Sequence, residues 1–388
     1  MTEQKTGQRN FWLIFVINLL ISMSYQIMNP TLPKYVVSQG LEIADAGIVT
    51  TAFVITSLMI RPFSGRWSSR GSLRRLMNTG ICFIFLAILT YSVSRSMAAL
   101  IAGRLLNGLG WGLATTPAAA IAANSLPEKK IGSGIGIFGL TSCISNAVAP
   151  NLGLALTAGG SFQPLFITGM MMPAAAFGLS FLLKMEKTVT ASEEAKHGLR
   201  WDDFFSVRCL LPMGMILLLS VSVSSVSSFL ALYAESIRVA GIGMFFTIYA
   251  VSLFAVKPLS GKAVDRFGIG RVILVCSGLM AGAFALISAG GSLAVFLCAA
   301  VLYGAGYGGL QPALQAWSFQ RETPERRGVA SSTFFIGLDA GTGIGAAIAG
   351  FMAQYLGYRE LYAAMIVPIA LGAGIYMLFA RKREGAES

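Results

Sequence analysis

Twelve runs long and apolar enough to cross a bilayer divide this 388-residue chain, six on each side of one polar stretch. A spanning helix needs about 20 apolar residues. In lipid the backbone must satisfy its own hydrogen bonds, which leaves helices as the structure for such runs. The predicted spans are 11–33, 46–64, 76–94, 97–122, 131–157, 164–183, 209–234, 242–260, 271–289, 292–316, 328–354 and 360–380. Several are long enough to tilt or to extend past the hydrocarbon. Only 12% of residues are charged, against about 25% in soluble domains. The expectation is an all-α membrane protein with an N-terminal six-helix bundle (1–183), a linker (184–208) and a C-terminal six-helix bundle (209–388). The first ten residues are polar and carry no cleavable signal pattern, so the run from Phe11 is read as a retained span.

The two halves repeat one another. Arg61–Arg75, RPFSGRWSSRGSLRR, is read as a short basic loop, and Lys257–Arg271, KPLSGKAVDRFGIGR, is its copy 196 residues on. Aligned without a gap, they share Pro62/Pro258, Ser64/Ser260, Gly65/Gly261, Arg70/Arg266 and Arg75/Arg271. At the same offset Leu106-Asn107-Gly108-Leu109-Gly110-Trp111-Gly112 meets Leu302-Tyr303-Gly304-Ala305-Gly306-Tyr307-Gly308. Leu126-Pro127-Glu128-Lys129-Lys130 meets Thr323-Pro324-Glu325-Arg326-Arg327 one residue later. Co-registered matches of this kind indicate duplication of a large unit. Parallel repeats about an axis along the membrane normal are one way transporters are built.

The charges sort by side. With an even number of spans, both termini share a side. Lys5, Arg9, both basic loops, Lys129-Lys130, the linker, Arg326-Arg327 and Arg381-Lys382-Arg383 fall there. Lys34, Arg95, Arg238 and Arg359 fall opposite. The positive-inside rule then puts both termini and the linker in the cytoplasm, within the cytoplasmic (inner) membrane. The net charge of +12 follows from this topology, so no nucleic-acid partner is expected. The five cysteines (Cys82, Cys143, Cys209, Cys276, Cys298) lie in or beside apolar runs without CxxC spacing, as unpaired buried thiols would. The one histidine, His197, stands in the charged linker, as a solvated loop residue would. No histidine-based triad, zinc site or phosphate loop can be assembled, so no cofactor, metal or enzymatic activity is expected.

Ionisable residues inside spans are costly and mark function. Arg104 lies several residues inside the fourth span, Asp339 well inside the eleventh and Glu235 at the outer end of the seventh. Asp45 is read as a helix cap. Arg104 suits an anionic ligand or proton coupling; bonding to carbonyls of a neighbouring helix is the structural alternative. Asp339 suits a proton carrier, although Gly337-Leu338-Asp339-Ala340-Gly341 is also a close-packing sequence. Polar faces accompany these residues. Asn18, Ser22, Tyr25 and Asn29, with Gln26 beside them, share one face of the first span. Arg104, Asn107 and Trp111 share a face of the fourth; Tyr303, Tyr307, Gln311 and Gln315 share one of the tenth. The seventh carries Ser220, Ser224, Ser227 and Ser228, which suit helix–helix adhesion equally well. Spans one, four, seven and ten are equivalent positions, so a shared central cavity is the expectation. Gly132, Gly134, Gly136 and Gly139 in the fifth span, and Gly341 and Gly345 in the eleventh, permit tight helix contact.

These residues resemble the Major Facilitator Superfamily over essentially the whole chain. Gly65…Arg70…Arg74-Arg75 and Gly261…Asp265-Arg266-Phe267-Gly268…Arg271 are similar to its signature GxxxDRxGRR after spans two and eight. The first copy has Ser69 where the family has Asp, a carboxylate that the resemblance implies helps shut the cytoplasmic side. Arg104-Leu105-Leu106-Asn107-Gly108-Leu109-Gly110 resembles the RxxxGxG signature, whose arginine is associated with proton coupling. Ala149-Pro150-Asn151-Leu152-Gly153 resembles the exporter signature GPxxGG, with Ala149 and Leu154 replacing its outer glycines. The resemblance implies the drug/proton antiporter branch. Cation-exporting members carry an acid in an early span, and the first span here has none, which favours a neutral or anionic substrate.

The expected function is alternating-access, proton-coupled efflux of a small organic molecule. Its partners are the substrate, protons and membrane lipid, with each monomer holding a complete pathway. Uptake of a carboxylate or sugar with protons is the nearest alternative, and a non-transporting receptor or scaffold is the next.

Overall fold

The computed structural model describes residues 2–28, 31–39, 43–93, 96–157, 159–184 and 204–380. The chain is helical throughout them: α1 (Thr2–Met28), α2 (Thr31–Ser38), α3 (Ile43–Arg70), α4 (Leu73–Val93), α5 (Met97–Asn124), α6 (Ile131–Phe138), α7 (Leu140–Thr157), α8 (Gln163–Ser180), α9 (Leu210–Ser236), α10 (Gly243–Phe267), α11 (Ile269–Ala289), α12 (Leu293–Gln320), α13 (Arg327–Tyr355), α14 (Tyr358–Ala364) and α15 (Ile366–Ile375). A π-helical turn, Tyr376–Ala380, follows. Ten stretches among the described residues are long and apolar enough to span a membrane, and α3 and α8 occupy the predicted second and sixth spans. Large apolar side chains such as Met59, Met171, Val251 and Phe351 are exposed, as lipid-facing surfaces require. The predicted fifth span is two helices, α6 and α7, broken at Gly139. None of the five cysteines is in a disulfide; Cys143, Cys209 and Cys276 are buried as expected, whereas Cys82 and Cys298 are exposed on the apolar helix surface. His197, Glu193-Glu194 and Trp201-Asp202-Asp203 lie outside the described residues, as do Asn29 and the side chains of Asp45 and Arg70.

The two signature sequences are helix rather than loop. α3 continues through Pro62 to Arg70, leaving only Gly71-Ser72 before α4. α10 continues through Pro258 to Phe267, and Gly268 at φ +83 turns the chain into α11. The basic residues made these stretches look like solvent loops. Their apolar neighbours and seams of small residues instead continue each helix.

By packing, the chain forms two compact units. Unit 1 comprises Met1–Pro127, Thr141–Val207 and Glu322–Thr333; unit 2 comprises Glu128–Leu140, Arg208–Arg321 and Phe334–Ser388. Each unit therefore includes a short segment from the other half of the sequence.

In unit 1, α5 packs against α3 and α4, and α8 against α1 and α4. A Cβ at Gly80 would lie 2.5 Å from Ala114 N, so α4 and α5 meet backbone to backbone. In unit 2, α12 packs against α10 and α11, and α6 against α10 and α12. Gly306, the repeat of Gly110, makes the equivalent approach, 2.9 Å from Cys276 O. In membranes such glycine contacts replace the hydrophobic drive that water supplies elsewhere.

Candidate functional site

In unit 1, Ser96 caps α5 by accepting from Ala99 N (3.4 Å), and Arg104 lies two turns further in. Gly103 makes room for Tyr91 of α4, whose Cε1 is 2.5 Å from where a Cβ would sit. Gly108 does the same for α3, with Phe53 O at 2.5 Å. These two glycines bring Tyr91 and Phe53 around Arg104. The guanidinium sits 5.9 Å from the Phe53 ring centroid, a cation–π contact. Tyr25 stacks on Phe53 (4.8 Å) and lies 4.7 Å from Trp111. Trp111 lies 6.4 Å from Phe53, closing a triangle of rings from three helices.

Arg104 is only 2% exposed. Its Nε is buried with no acceptor among the described residues, and the buried Tyr91 hydroxyl is likewise unbonded. The carboxylates of unit 1 whose side chains are described, Glu322 and Glu325, stand in or beside the turn that meets the far end of α5. From there Asn124 donates to Pro324 O (3.2 Å). Arg104 is about 30 Å away along the helix. A desolvated guanidinium without an acceptor is unfavourable, so this position suits water or a ligand. Among the described residues no carbonyl of a neighbouring helix accepts from Arg104 Nε.

The remaining polar residues of unit 1 divide. Asn18 donates to Thr141 Oγ1 (2.7 Å) and Gln26 to Asn146 Oδ1, so both bind α7. Ser22 and Asn107 are buried. In unit 2, the tenth-span face is also aromatic. Tyr303 and Tyr307 stack at 6.3 Å, and Tyr249 joins Tyr303 at 5.0 Å. Tyr249 and Tyr307 are the repeats of Phe53 and Trp111, and Gly304 seats α12 against Tyr249 O (2.8 Å) as Gly108 seats α5. Gln311 is half-buried and Gln315 buried. Ala300 stands where the repeat of Arg104 would be. The seventh-span serines mostly bond their own helix: Ser224 to Val221 O (2.8 Å) and Ser227 to Ser224 O (3.0 Å).

Glu235 is exposed at the end of α9. Asp339 is half-buried on α13, between glycines that meet α9: Met213 O is 2.6 Å from a Cβ at Gly337, and Val221 O is 2.5 Å from one at Gly345. Two residues on from Gly337 is about 200° around the helix, so Asp339 leaves this seam.

The signature sequences differ in their contacts. In unit 2, Asp265 accepts from Gly132 N (3.1 Å) and Ser133 N (2.9 Å) at the start of α6. A carboxylate there satisfies orphan amides and the positive end of the helix. Gly261 abuts Gly132 and Ser133, with Ser133 Cα at 2.6 Å from its Cβ position. In unit 1, Ser69 bonds its own helix at Arg66 O (2.9 Å), and Gly65 lies against Ser332. Arg327 instead donates to Ala123 O (3.2 Å) and Asn124 Oδ1 (3.0 Å), compensating the negative end of α5. Arg74 donates to Leu183 O (3.4 Å), Arg266 lies over Phe267 (5.2 Å), and Arg75 and Arg271 are exposed.

Two buried cations at one repeat position escaped the sequence reading because they were assigned to loops. Arg61 and Lys257, repeats of each other, are each 2% exposed. Lys257 Nζ donates to Gly139 O (3.1 Å), where α6 ends, and Arg61 O accepts from Ser332 Oγ. Their occurrence at one repeat position in both halves was the available signal.

A family model of the Major Facilitator Superfamily matches residues 14–240 and 213–388. The Staphylopine export protein of Staphylococcus aureus is 21% identical over 364 residues, covering 91% of each chain. Multidrug resistance protein 2 of Bacillus subtilis is 22% identical over 404 residues, covering 100% of this chain and 99% of its own. Among solved structures, the human organic anion transporter MFSD10 (TETRAN) superposes with TM-score 0.83 at 16% identity, covering 95% of this chain and 99% of its own. A bacterial homologue of the iron transporter ferroportin superposes at 0.81 and 18%, covering 96% and 99%. This chain is therefore an integral, multi-pass transporter, not an enzyme, and belongs to the Major Facilitator Superfamily.

Proposed function

We propose that the chain exports a small organic molecule in exchange for protons, by alternating access across the cytoplasmic membrane, with both termini in the cytoplasm. The observation that carries this reading is Arg104: a buried guanidinium whose Nε has no acceptor among the described residues, 5.9 Å from the Phe53 ring. Export is supported by relatives named for export and multidrug resistance, and by the partial exporter signature at Ala149–Gly153. The excess of Lys and Arg on the side of the termini supports the orientation.

Tyr25, Arg104, Asn107 and Trp111 are the substrate-binding residues of unit 1, and Tyr303, Tyr307, Gln311 and Gln315 are those of unit 2. Asn18, Ser22 and Gln26 border the first group. Asp339 carries the proton, Arg104 is a second coupling residue, and Glu235 at the helix end takes up or releases the proton. Asp265 and Gly261, with Gly65 in the first copy, regulate the segments that each unit takes from the other half. Arg70, Arg74, Arg75, Arg266, Gly268 and Arg271 shape the signature turns. One monomer is sufficient.

Asp339→Asn tests the coupling. Export driven by an imposed pH gradient should be lost, while counterflow of substrate without a gradient should persist. Unchanged gradient-driven export would remove Asp339 from the mechanism. Net inward movement would instead favour proton-linked uptake.

A further inference from the structure

We infer that the substrate class is an aromatic carboxylate, its carboxylate held by Arg104 and Tyr91 and its ring by Tyr25 and Trp111. This rests on the assignment of these residues to the substrate path, and it adds the chemistry of what they bind.

Three independent features of unit 1 converge. First, Arg104 Nε is buried with no acceptor among the described residues. A guanidinium presents a planar fork of donors that matches a carboxylate's two oxygens. Second, the Tyr91 hydroxyl is also buried and without a bond among the described residues, and its ring packs on Gly103, the residue before Arg104. Two uncommitted donors and no described acid beside them favour an acceptor-only group. An ammonium would meet repulsion from Arg104. A neutral alcohol offers fewer acceptor lone pairs than a carboxylate. Third, the apolar part of the surroundings is aromatic. Phe53 is buried behind the other two rings, whereas Tyr25 and Trp111 are half-buried and keep surface for a planar guest. Ring–ring contacts favour offset or edge-on aromatic neighbours over saturated ones of similar volume.

Unit 2 explains why the charge belongs to the ligand and not to the fold. The aromatic positions Phe53 and Trp111 recur there as Tyr249 and Tyr307, and Gly108 recurs as Gly304, but Arg104 is replaced by Ala300. The same helix packing is thus built without the cation.

The test is binding to the purified full-length protein in lipid nanodiscs, by calorimetry and by quenching of tryptophan emission. The probes are 1-naphthoate, 1-naphthylmethylamine, 1-naphthylmethanol and decalin-1-carboxylate. Naphthoate should bind most tightly, and the amine should not bind. Arg104→Gln should weaken naphthoate by about 10–100-fold, the range for a lost hydrogen bond to a charged group. Arg104→Lys should retain part of the affinity. Tyr91→Phe should cost less than Arg104→Gln, and Trp111→Phe should remove most of the quenching while leaving the protein folded by circular dichroism.

Equal binding of the amine and the acid, or naphthoate affinity unchanged in both Arg104→Gln and Tyr91→Phe, would overturn the inference. So would failure of naphthoate to bind a folded protein that still exports other solutes in an Arg104-dependent way. Arg104-dependent binding of naphthoate without any export would leave this inference standing and remove the efflux reading instead.

Discussion

Unit 1 and unit 2 use one packing scheme and load it with different charges. Gly110 and Gly306 bring equivalent helix pairs into contact, and Gly108 and Gly304 place Phe53 and Tyr249 at equivalent positions. Gly65 and Gly261 each lie against a segment from the other half of the sequence. At two places the copies part. The fourth span has Arg104 where the tenth has Ala300, and the second signature has Asp265 where the first has Ser69. The repeat serves as an internal control: what the fold needs occurs twice, and what occurs once serves a task that only one half performs. Arg61 and Lys257, buried in both halves, belong with the fold by the same reasoning.

The segments also differ in how they are held. Asp265 grips the amide end of α6 in unit 2, whereas Arg327 grips the carbonyl end of α5 in unit 1. Both are helix-end contacts with the complementary sign of charge. The acid that Ser69 lacks is therefore not replaced at its own position; a cation on the opposite element supplies the charged contact.

This comparison can be broken in order of effect. Arg104→Ala should reduce transport by at least about 100-fold, since an intramembrane charge assigned to substrate has no substitute nearby. Adding Ala300→Arg to it should restore nothing; restoration would mean the two halves are interchangeable. Gly261→Leu and Gly65→Leu should each destabilise by about 1–3 kcal/mol through overpacking of a tight seam, read as thermal unfolding in detergent. Gly278→Leu, with nothing within 4 Å of its Cβ position, is the control and should leave unfolding unchanged. Tolerance of leucine at Gly261 would refute the seam.

Asp265→Asn should have a smaller effect, about 0.5–2 kcal/mol, because the neutral amide oxygen keeps one acceptor while losing the charge–helix term. Hydrogen exchange should speed up at Gly132 and Ser133. The same experiment on Ser69→Asn should show no local change, since Ser69 bonds only within α3. Arg75→Ala, at an exposed side chain, should be smallest, within about 0.5 kcal/mol.

Much of this was legible in the sequence because membranes restrict the options. Twelve apolar runs and a 196-residue offset fix helices, their number and their duplication. Arg104 was legible as a costly charge, and Tyr303 and Tyr307 as one face. The break at Gly139 was not, because a glycine inside an apolar run equally permits continuous close packing. Nor was the burial of Arg61 and Lys257, since a basic residue at a helix end looks the same whether it meets water or a carbonyl. Asn18 and Gln26 read as substrate-facing polar residues, yet their amides bond α7. Periodicity places residues on a face but does not name what that face meets. The aromatic triangle of Tyr25, Phe53 and Trp111 was only partly visible, because Phe53 lies on a different helix and carries no polar signal.

The most direct measurement is an untargeted comparison of solutes in cells and medium, with the unmodified protein, Arg104→Ala and no protein expressed. The account predicts an anionic organic compound that leaves the cells and accumulates in the medium only with the unmodified protein. A compound drawn into the cells, or the same export from Arg104→Ala as from the parent, would contradict it.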